Sequence, residues 1–503
     1  MKRLLLFLRN LGLRLVVVAA AFLFALGLYQ TWDLKWRWFL VCTVGIGMVS
    51  ISMVFARIFA DFLLVALFFL FPVVSFDKWV WPSVYSQSDR GNLVYGGMLG
   101  LGVLDFVLVG LYLTWFYRVF IARIQPFPRL CLLDLLAAAM FMVYLFSDIG
   151  VHDLQLGLGA TEFLFKYLLF YFYLSRNLQP KHYVWLIIAI CFSIIIQAGL
   201  GAYQHWTGKL VGFALDKGSG SSSTLSYETT VAGIESVKRA TGTTYDSHAL
   251  GNYLLMIVPF PFVLFMTPWV KPFLRFSLAI ITALGIFAIV LCFSRSAWVA
   301  CAIGLAAGVI LIVLVWQEGT PVVVGTIVTF LTIGTAPWTV YYIYQRFHKS
   351  PAETLTTRFK QWEVALTIWQ RYPLLGTGPN NYINAMKRYD FLGLKIRPVH
   401  NVILQVLAES GLLGLLCYLG IFFSAMRRLF QVTRRRSDLT GRMAMAALMG
   451  LIGTLFDGIT DPLFREPTVY ATFWLLIGLA VALEKATPAR NTAALDRREE
   501  SAA

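Results

Sequence analysis

Residues 273–292 read FLRFSLAIITALGIFAIVLC, and residues 297–316 read AWVACAIGLAAGVILIVLVW. Only Phe293-Ser294-Arg295-Ser296 separates them. Each run has the roughly 20 apolar residues that a helix needs to cross the hydrocarbon core of a bilayer. Lipid offers the backbone no hydrogen-bond partners, so a segment of this kind must satisfy itself as a helix. Two such helices joined by one tight turn set the expected fold: an all-α, polytopic transmembrane helical bundle.

The pattern recurs along the chain. Further apolar runs lie near 11–30, 38–55, 58–76, 93–117, 130–147, 154–175, 183–201, 249–266, 320–343, 401–425, 443–460 and 468–484. Together these predict about 12–14 spans. The composition agrees: 58% of the 503 residues are hydrophobic and 14% are charged, with a mean hydropathy of +0.71. A soluble domain is about 45–50% apolar and about 25% charged. A soluble enzyme, a disulfide scaffold and a disordered chain are excluded. Cys42, Cys131, Cys191, Cys292, Cys301 and Cys417 fall in or beside apolar runs without any Cys-x-x-Cys, so neither a disulfide framework nor a zinc site is expected. Met1-Lys2-Arg3 leads into a long apolar stretch and reads as the start of a first span. The net charge of +16 reads as loop charge on the cytoplasmic side, not as nucleic-acid binding.

Lys and Arg also give the orientation. With the N-terminus inside, the cytoplasmic loops hold more of them than the outer loops once the long 344–400 loop is set aside. This predicts N-in and C-in. The expected organisation is N-terminal spans over 1–201, an outer loop over 202–248, spans over 249–343, a large outer loop over 344–400, C-terminal spans over 401–484 and a cytoplasmic tail over 485–503. Within the large loop, Leu355, Phe359, Trp362, Leu366 and Trp369 recur at spacings of four and three. That spacing predicts an amphipathic helix over 353–371, lying on the outer membrane surface or on the bundle.

Three polar features fall on the outer side. Lys238-Arg239-Ala240-Thr241-Gly242-Thr243 precedes the span at 249, Arg295 sits between two spans, and His400-Asn401 opens the helix carrying Glu409. Charge at a membrane boundary is costly and usually pairs with something. A guanidinium presents a fixed fork of donors that suits phosphate oxygens. An imidazole is the side chain suited to general-base work near neutral pH. Two arginines and a histidine on one face make an anion site with a base, the chemistry of transfer from a diphosphate-linked donor.

Four stretches carry a family resemblance. They are Arg239-Ala240-Thr241-Gly242-Thr243, Phe293-Ser294-Arg295-Ser296-Ala297-Trp298, residues 371–382 (RYPLLGTGPNNY) and residues 400–414 (HNVILQVLAESGLLG). In this order the chain resembles the bacterial O-antigen ligase and O-antigen polymerase superfamily of polytopic glycosyltransferases. The resemblance implies an inverting, metal-independent enzyme of the bacterial inner membrane with a periplasmic active site. The donor would be a glycan on undecaprenyl diphosphate, and the acceptor the lipid A core oligosaccharide of lipopolysaccharide. It implies that Arg239 and Arg295 hold the diphosphate and that His400 activates the acceptor hydroxyl. No cofactor, metal or nucleic acid is implied; partners are the lipid-linked donor, the glycan acceptor and membrane lipids. Where the family often has Asp or Pro followed by Asn after the Gly-Thr pair, this chain has Tyr245-Asp246-Ser247-His248, which makes His248 a second candidate base. Arg358, Arg371 and Glu409 are further candidate substrate contacts. A polymerase and a protein O-glycosylating enzyme share the same motifs. An anion transporter fits less well, because the charges within spans (Asp105, Asp134, Glu162, Lys166, Glu409) show no internal repeat.

Overall fold

The computed structural model describes residues 56–70, 77–79, 100–209, 239–244, 246–317, 353–389, 391–394, 398–462 and 466–487. The expected spans at 11–30, 38–55 and 320–343 lie outside these residues. A short antiparallel pair joins β1 (Asp77–Trp79) to β2 (Gly100–Gly102). Every other described element is helical. In chain order these are α1 (Ala56–Leu70), α2 (Val103–Phe116) with a π-turn over Tyr117–Ile121, α3 (Leu132–Ser147), α4 (Leu154–Asn177) and α5 (Pro180–Thr207). Then come α6 (Ser247–Ile257), α7 (Pro259–Phe265), α8 (Pro272–Leu291), α9 (Arg295–Trp316), α10 (Glu353–Arg371) and α11 (Tyr382–Tyr389). The C-terminal helices are α12 (Val402–Arg435), α13 (Leu439–Gly458) and α14 (Pro467–Lys485).

Among the described residues, seven stretches are long and apolar enough to cross a membrane: α5, α6 with α7, α8, α9, α12, α13 and α14. The chain is a multi-pass membrane protein built as a helical bundle. Outward-facing Phe273, Phe276 and Leu314 are well exposed, as side chains on a lipid-facing surface should be. The 401–425 run continues further than its apolar pattern suggested, because Arg427, Arg428, Arg434 and Arg435 extend α12 to Arg435 as a basic helix end. Basic side chains favour a helix C-terminus through the macrodipole.

The helix ends alternate between two faces. On one, Trp316 Nε1 donates to Thr433 O, Arg436 Nη1 donates to Ala486 O, Lys485 Nζ donates to Ser175 O, and Arg176 pairs with Asp134. The ends of α4, α9, α12 and α14 and the start of α3 therefore meet there. On the opposite face Ser147 Oγ donates to Leu375 O, and the 239–244 loop packs on the ends of α5 and α8. Of the charges within spans, Lys166 and Asp105 pair at 3.0 Å between α4 and α2.

Close packing around α13 fixes the second face. A Cβ on Gly304 of α9 would sit 3.0 Å from Met449 O, and one on Gly450 would sit 2.6 Å from Met256 O of α6. Small residues let membrane helices approach backbone to backbone. Thus α13 is wedged between α6 and α9, which holds these three helices in close contact.

Candidate active site

The loop carrying Arg239 is held by Gln197 and Gln204, about two turns apart on one face of α5. Gln204 Oε1 accepts from Thr241 N at 2.9 Å and Gly242 N at 2.8 Å, and its Nε2 donates to Gly242 O at 2.8 Å. Gln197 Oε1 accepts from Thr243 N at 3.0 Å, and its Nε2 donates to Thr243 Oγ1 at 2.6 Å. Gly242 has φ +56, and a Cβ there would lie 2.0 Å from Gln197 Oε1. Only glycine fits both the backbone angle and the space. Ala240 N then donates to Leu291 O at 3.0 Å, which seats the loop on the end of α8.

Between α8 and α9, Phe293 takes a left-handed conformation with φ 51 and stacks on His205. That single residue turns the chain back. Ser294 caps α9, accepting from Ala297 N, and Arg295 stands at the first helical position. A cation at a helix N-terminus opposes the macrodipole, so this placement does nothing for the helix itself. Positive helix end and guanidinium together favour an anion.

The sequence-selected residues meet around α13. His248, in the first turn of α6, accepts from Arg239 Nη2 through Nε2 at 3.1 Å. Its Nδ1 lies 3.0 Å from Asp461 Oδ2 and 3.2 Å from Ser294 Oγ. Arg239 Nε donates to Cys292 O at 3.0 Å. Asp461 lies just past the end of α13, and Asp457 is on its last turn; both are buried. Burial alone would raise the Asp461 carboxyl. Contact with the His248 ring at 3.0 Å, with His400 and Arg358 in electrostatic reach, instead holds it below its ordinary range. Arg358 is likewise in electrostatic reach of Asp457 and Arg295. Of the seven selected residues, Arg239 and His248 are linked by contact to Asp461, Arg358 and His400 lie within its electrostatic reach, and Arg295 lies within that of Arg358.

Glu409 and Arg371 lie elsewhere. Glu409 is buried beneath the loop after α10, where Gln405 Nε2 donates to its Oε1 at 3.2 Å and the backbone N–H groups of Asn380 and Tyr382 donate to its carboxylate. Arg371 is exposed at the end of α10, stacked 5.1 Å over the Tyr389 ring. The apolar face of α10 also differs from its expected side. Gln361, Val364, Ala365 and Ile368 are buried, whereas Phe359 and Leu366 are exposed. The helix packs on α12 through its smaller residues; of the stripe seen in the spacing, Phe359 and Leu366 face outward while Trp362 packs on the buried side.

Loop 373–378 crosses the break in α12. Gly411 has φ 65, and a Cβ on it would meet the Leu374 backbone at 2.2 Å. The backbone groups freed by the break are taken up in the crossing. Thr377 N donates to Ala408 O, Gly378 N to Glu409 O, and Leu412 N to Pro373 O, at 2.9, 2.9 and 2.8 Å. Asn381 exchanges hydrogen bonds with the Asp153 backbone, both at 3.1 Å, which ties the same loop to the start of α4. Residues 371–382 and 400–414 are thus one interlocked unit that sets Asn401 as the cap of α12 and His400 just before it.

Residues 278–419 match the family described as O-antigen ligase. This segment belongs to the O-antigen ligase superfamily. The O-antigen ligase segment takes in Arg295, Arg358 and His400, while Arg239, His248, Asp457 and Asp461 reach the same place from outside it. The general activity that accompanies an O-antigen ligase segment is glycan transfer of the ligase or polymerase kind, between a lipid-linked glycan and a glycan acceptor. No curated protein matches the chain. Sequence reasoning gives Ser294 and Ser296 no role of their own and reads Asp457 and Asp461, with Arg465 and Glu466, as a cluster at an outer helix end that either lines an acceptor path or pairs within itself.

Proposed function

We propose that the chain moves a glycan from undecaprenyl diphosphate onto the lipid A core, inverting the sugar C1 without a metal, on the periplasmic face of the bacterial inner membrane. The observation that supports this reading is the contact chain Arg239–His248–Asp461, with Arg358 and His400 in electrostatic reach of the same carboxylate and Arg295 at the first position of α9 beside Ser294, which also contacts His248. The face bearing Arg176, Arg436 and Lys485 is then cytoplasmic, in keeping with the distribution of basic residues.

Arg239 and Arg295 bind the diphosphate, and Arg358 is the third cation available to it. Helix N-termini add their dipoles to the same charge. The acceptor hydroxyl gives its proton to the His400 imidazole as its oxygen attacks C1. The C1–O bond to the diphosphate breaks on the opposite side, which inverts the centre. The electron pair leaves on the diphosphate oxygen, where fixed guanidinium groups in a poorly solvated site are most effective. His400 then releases its proton to water.

Purified protein, lipid-linked glycan and lipid A core, with a chelator and no nucleotide, test this directly. Glycan attached to the core is the expected product. Lengthening of the glycan without core would make the enzyme a polymerase, and the absence of both products would overturn the proposal.

A further inference from the structure

His248 is held at both ring nitrogens, and the partners settle its hydrogen positions. A guanidinium can only donate, so Nε2, 3.1 Å from Arg239 Nη2, carries the lone pair. The ring proton is therefore on Nδ1, which faces the Asp461 carboxylate at 3.0 Å and the Ser294 hydroxyl at 3.2 Å. Arg239 is in turn fixed twice, at Nη2 by His248 and at Nε by Cys292 O at 3.0 Å. Three separate elements contribute to this chain: the end of α13, the first turn of α6 and the 239–244 loop. Asp246, the cap of α6, donates no proton here; it accepts from Ala249 N at 2.8 Å. Arg295 follows Ser294 on the neighbouring helix, and Asp457, His400 and Arg358 are in electrostatic reach of Asp461.

We propose that Asp461 and His248 position Arg239, the carboxylate fixing the imidazole as its Nδ1–H form and the imidazole Nε2 fixing the guanidinium fork. The inference rests on the reading of Arg239 as a diphosphate contact. His248 is then a positioning residue that acts through Arg239 and is distinct from His400 in role. Orientation of a ligand by a carboxylate-backed imidazole is familiar at metal sites; here the oriented group is an arginine. A fork aimed in advance loses less freedom when it meets the phosphate oxygens.

The test uses the full-length protein in detergent and reads donor KM and kcat of glycan transfer. Arg239→Ala, His248→Ala, His248→Gln, Asp461→Asn and the double variant Arg239→Ala/His248→Ala are compared. His248→Ala is expected to raise donor KM about tenfold, the scale of one hydrogen bond to a charged group, with a smaller change in kcat. His248→Gln, which keeps an acceptor for Arg239, should recover most of that loss. In the Arg239→Ala background, His248→Ala should add nothing. An unchanged donor KM in His248→Ala alongside a raised one in Arg239→Ala overturns the inference and leaves the function standing. Independent, multiplying effects of the two substitutions also overturn it. An unchanged donor KM in Arg239→Ala overturns the inference together with the assignment of Arg239 to the diphosphate. Should His248→Ala fail to fold, His248→Gln and Asp461→Asn carry the comparison: a donor KM in Asp461→Asn equal to that of the unaltered protein counts against positioning by Asp461.

Discussion

Gln204 pairs with Gly242 from both sides, accepting from its N–H and donating to its carbonyl, each at 2.8 Å. A side-chain amide thus does the work of a β-ladder partner for a loop inside a helical protein. Replacing Gln204 by Leu strands three buried backbone groups, at about 1–3 kcal/mol each. Gln204→Leu is expected to lower the thermal midpoint in detergent and to raise donor KM, because the adjoining Arg239 loses its anchorage. Unchanged donor KM would show that Arg239 is fixed without this loop.

The crossing at Gly411 makes a sharper structural prediction. A side chain there meets the Leu374 backbone at 2.2 Å in a left-handed conformation. Backbone strain alone costs about 1–3 kcal/mol, before the clash is relieved. Gly411→Ala should therefore destabilise the protein measurably and lower kcat, since His400 is held by the same interlocked unit. A midpoint within a degree of the unaltered protein would contradict this packing.

The two faces of α10 separate cleanly. Ile368 is fully buried, whereas Phe359 is 59% exposed. Ile368→Ala should cost about 2–5 kcal/mol through the cavity it leaves. Phe359→Ala should stay within about 0.5 kcal/mol. Denaturation of the two variants in the same detergent checks the difference, and equal losses would mean that the helix is turned the other way.

Much of this was legible in the sequence for physical reasons. Spans of about 20 apolar residues identify themselves, and those at 273–292 and 297–316 differ from α8 and α9 by only one or two residues at their ends. Arg239, Arg295 and His400 stand out because charge is scarce near a membrane. The face of α10 was not legible, because spacing finds an apolar stripe but cannot say whether protein or surroundings will cover it. Nor was the pairing of His248 with Asp461, which lie 213 positions apart and meet only because α13 is wedged between α6 and α9. Glu409 fits a family pattern, yet its place under the 373–378 loop follows from the break at Gly411.

Asp148, at the end of α3, gives a pH dependence of known sign. Burial pushes its carboxyl up and the hydrogen bond from Thr161 only partly offsets this, leaving it at about 6. Its Oδ1 is buried without a partner. A raised folded-state value means that the neutral acid is favoured by folding. The stability it contributes is complete below its ordinary value of 3.8 and is lost as pH rises through about 6. Asp148→Asn should raise stability at pH 8 by an amount of order 1 kcal/mol and make no such gain at pH 4. Thermal midpoints of both proteins at the two pH values check it; an equal difference at both would contradict the assignment.

The most direct test of the central claim is single-turnover glycan transfer by His400→Ala with saturating lipid-linked donor and core acceptor. If His400 takes the acceptor proton at a site where Arg239 and Arg295 hold the diphosphate, the rate should fall by roughly 10²–10⁴, with little change in donor binding. Transfer at the unaltered rate would contradict the account.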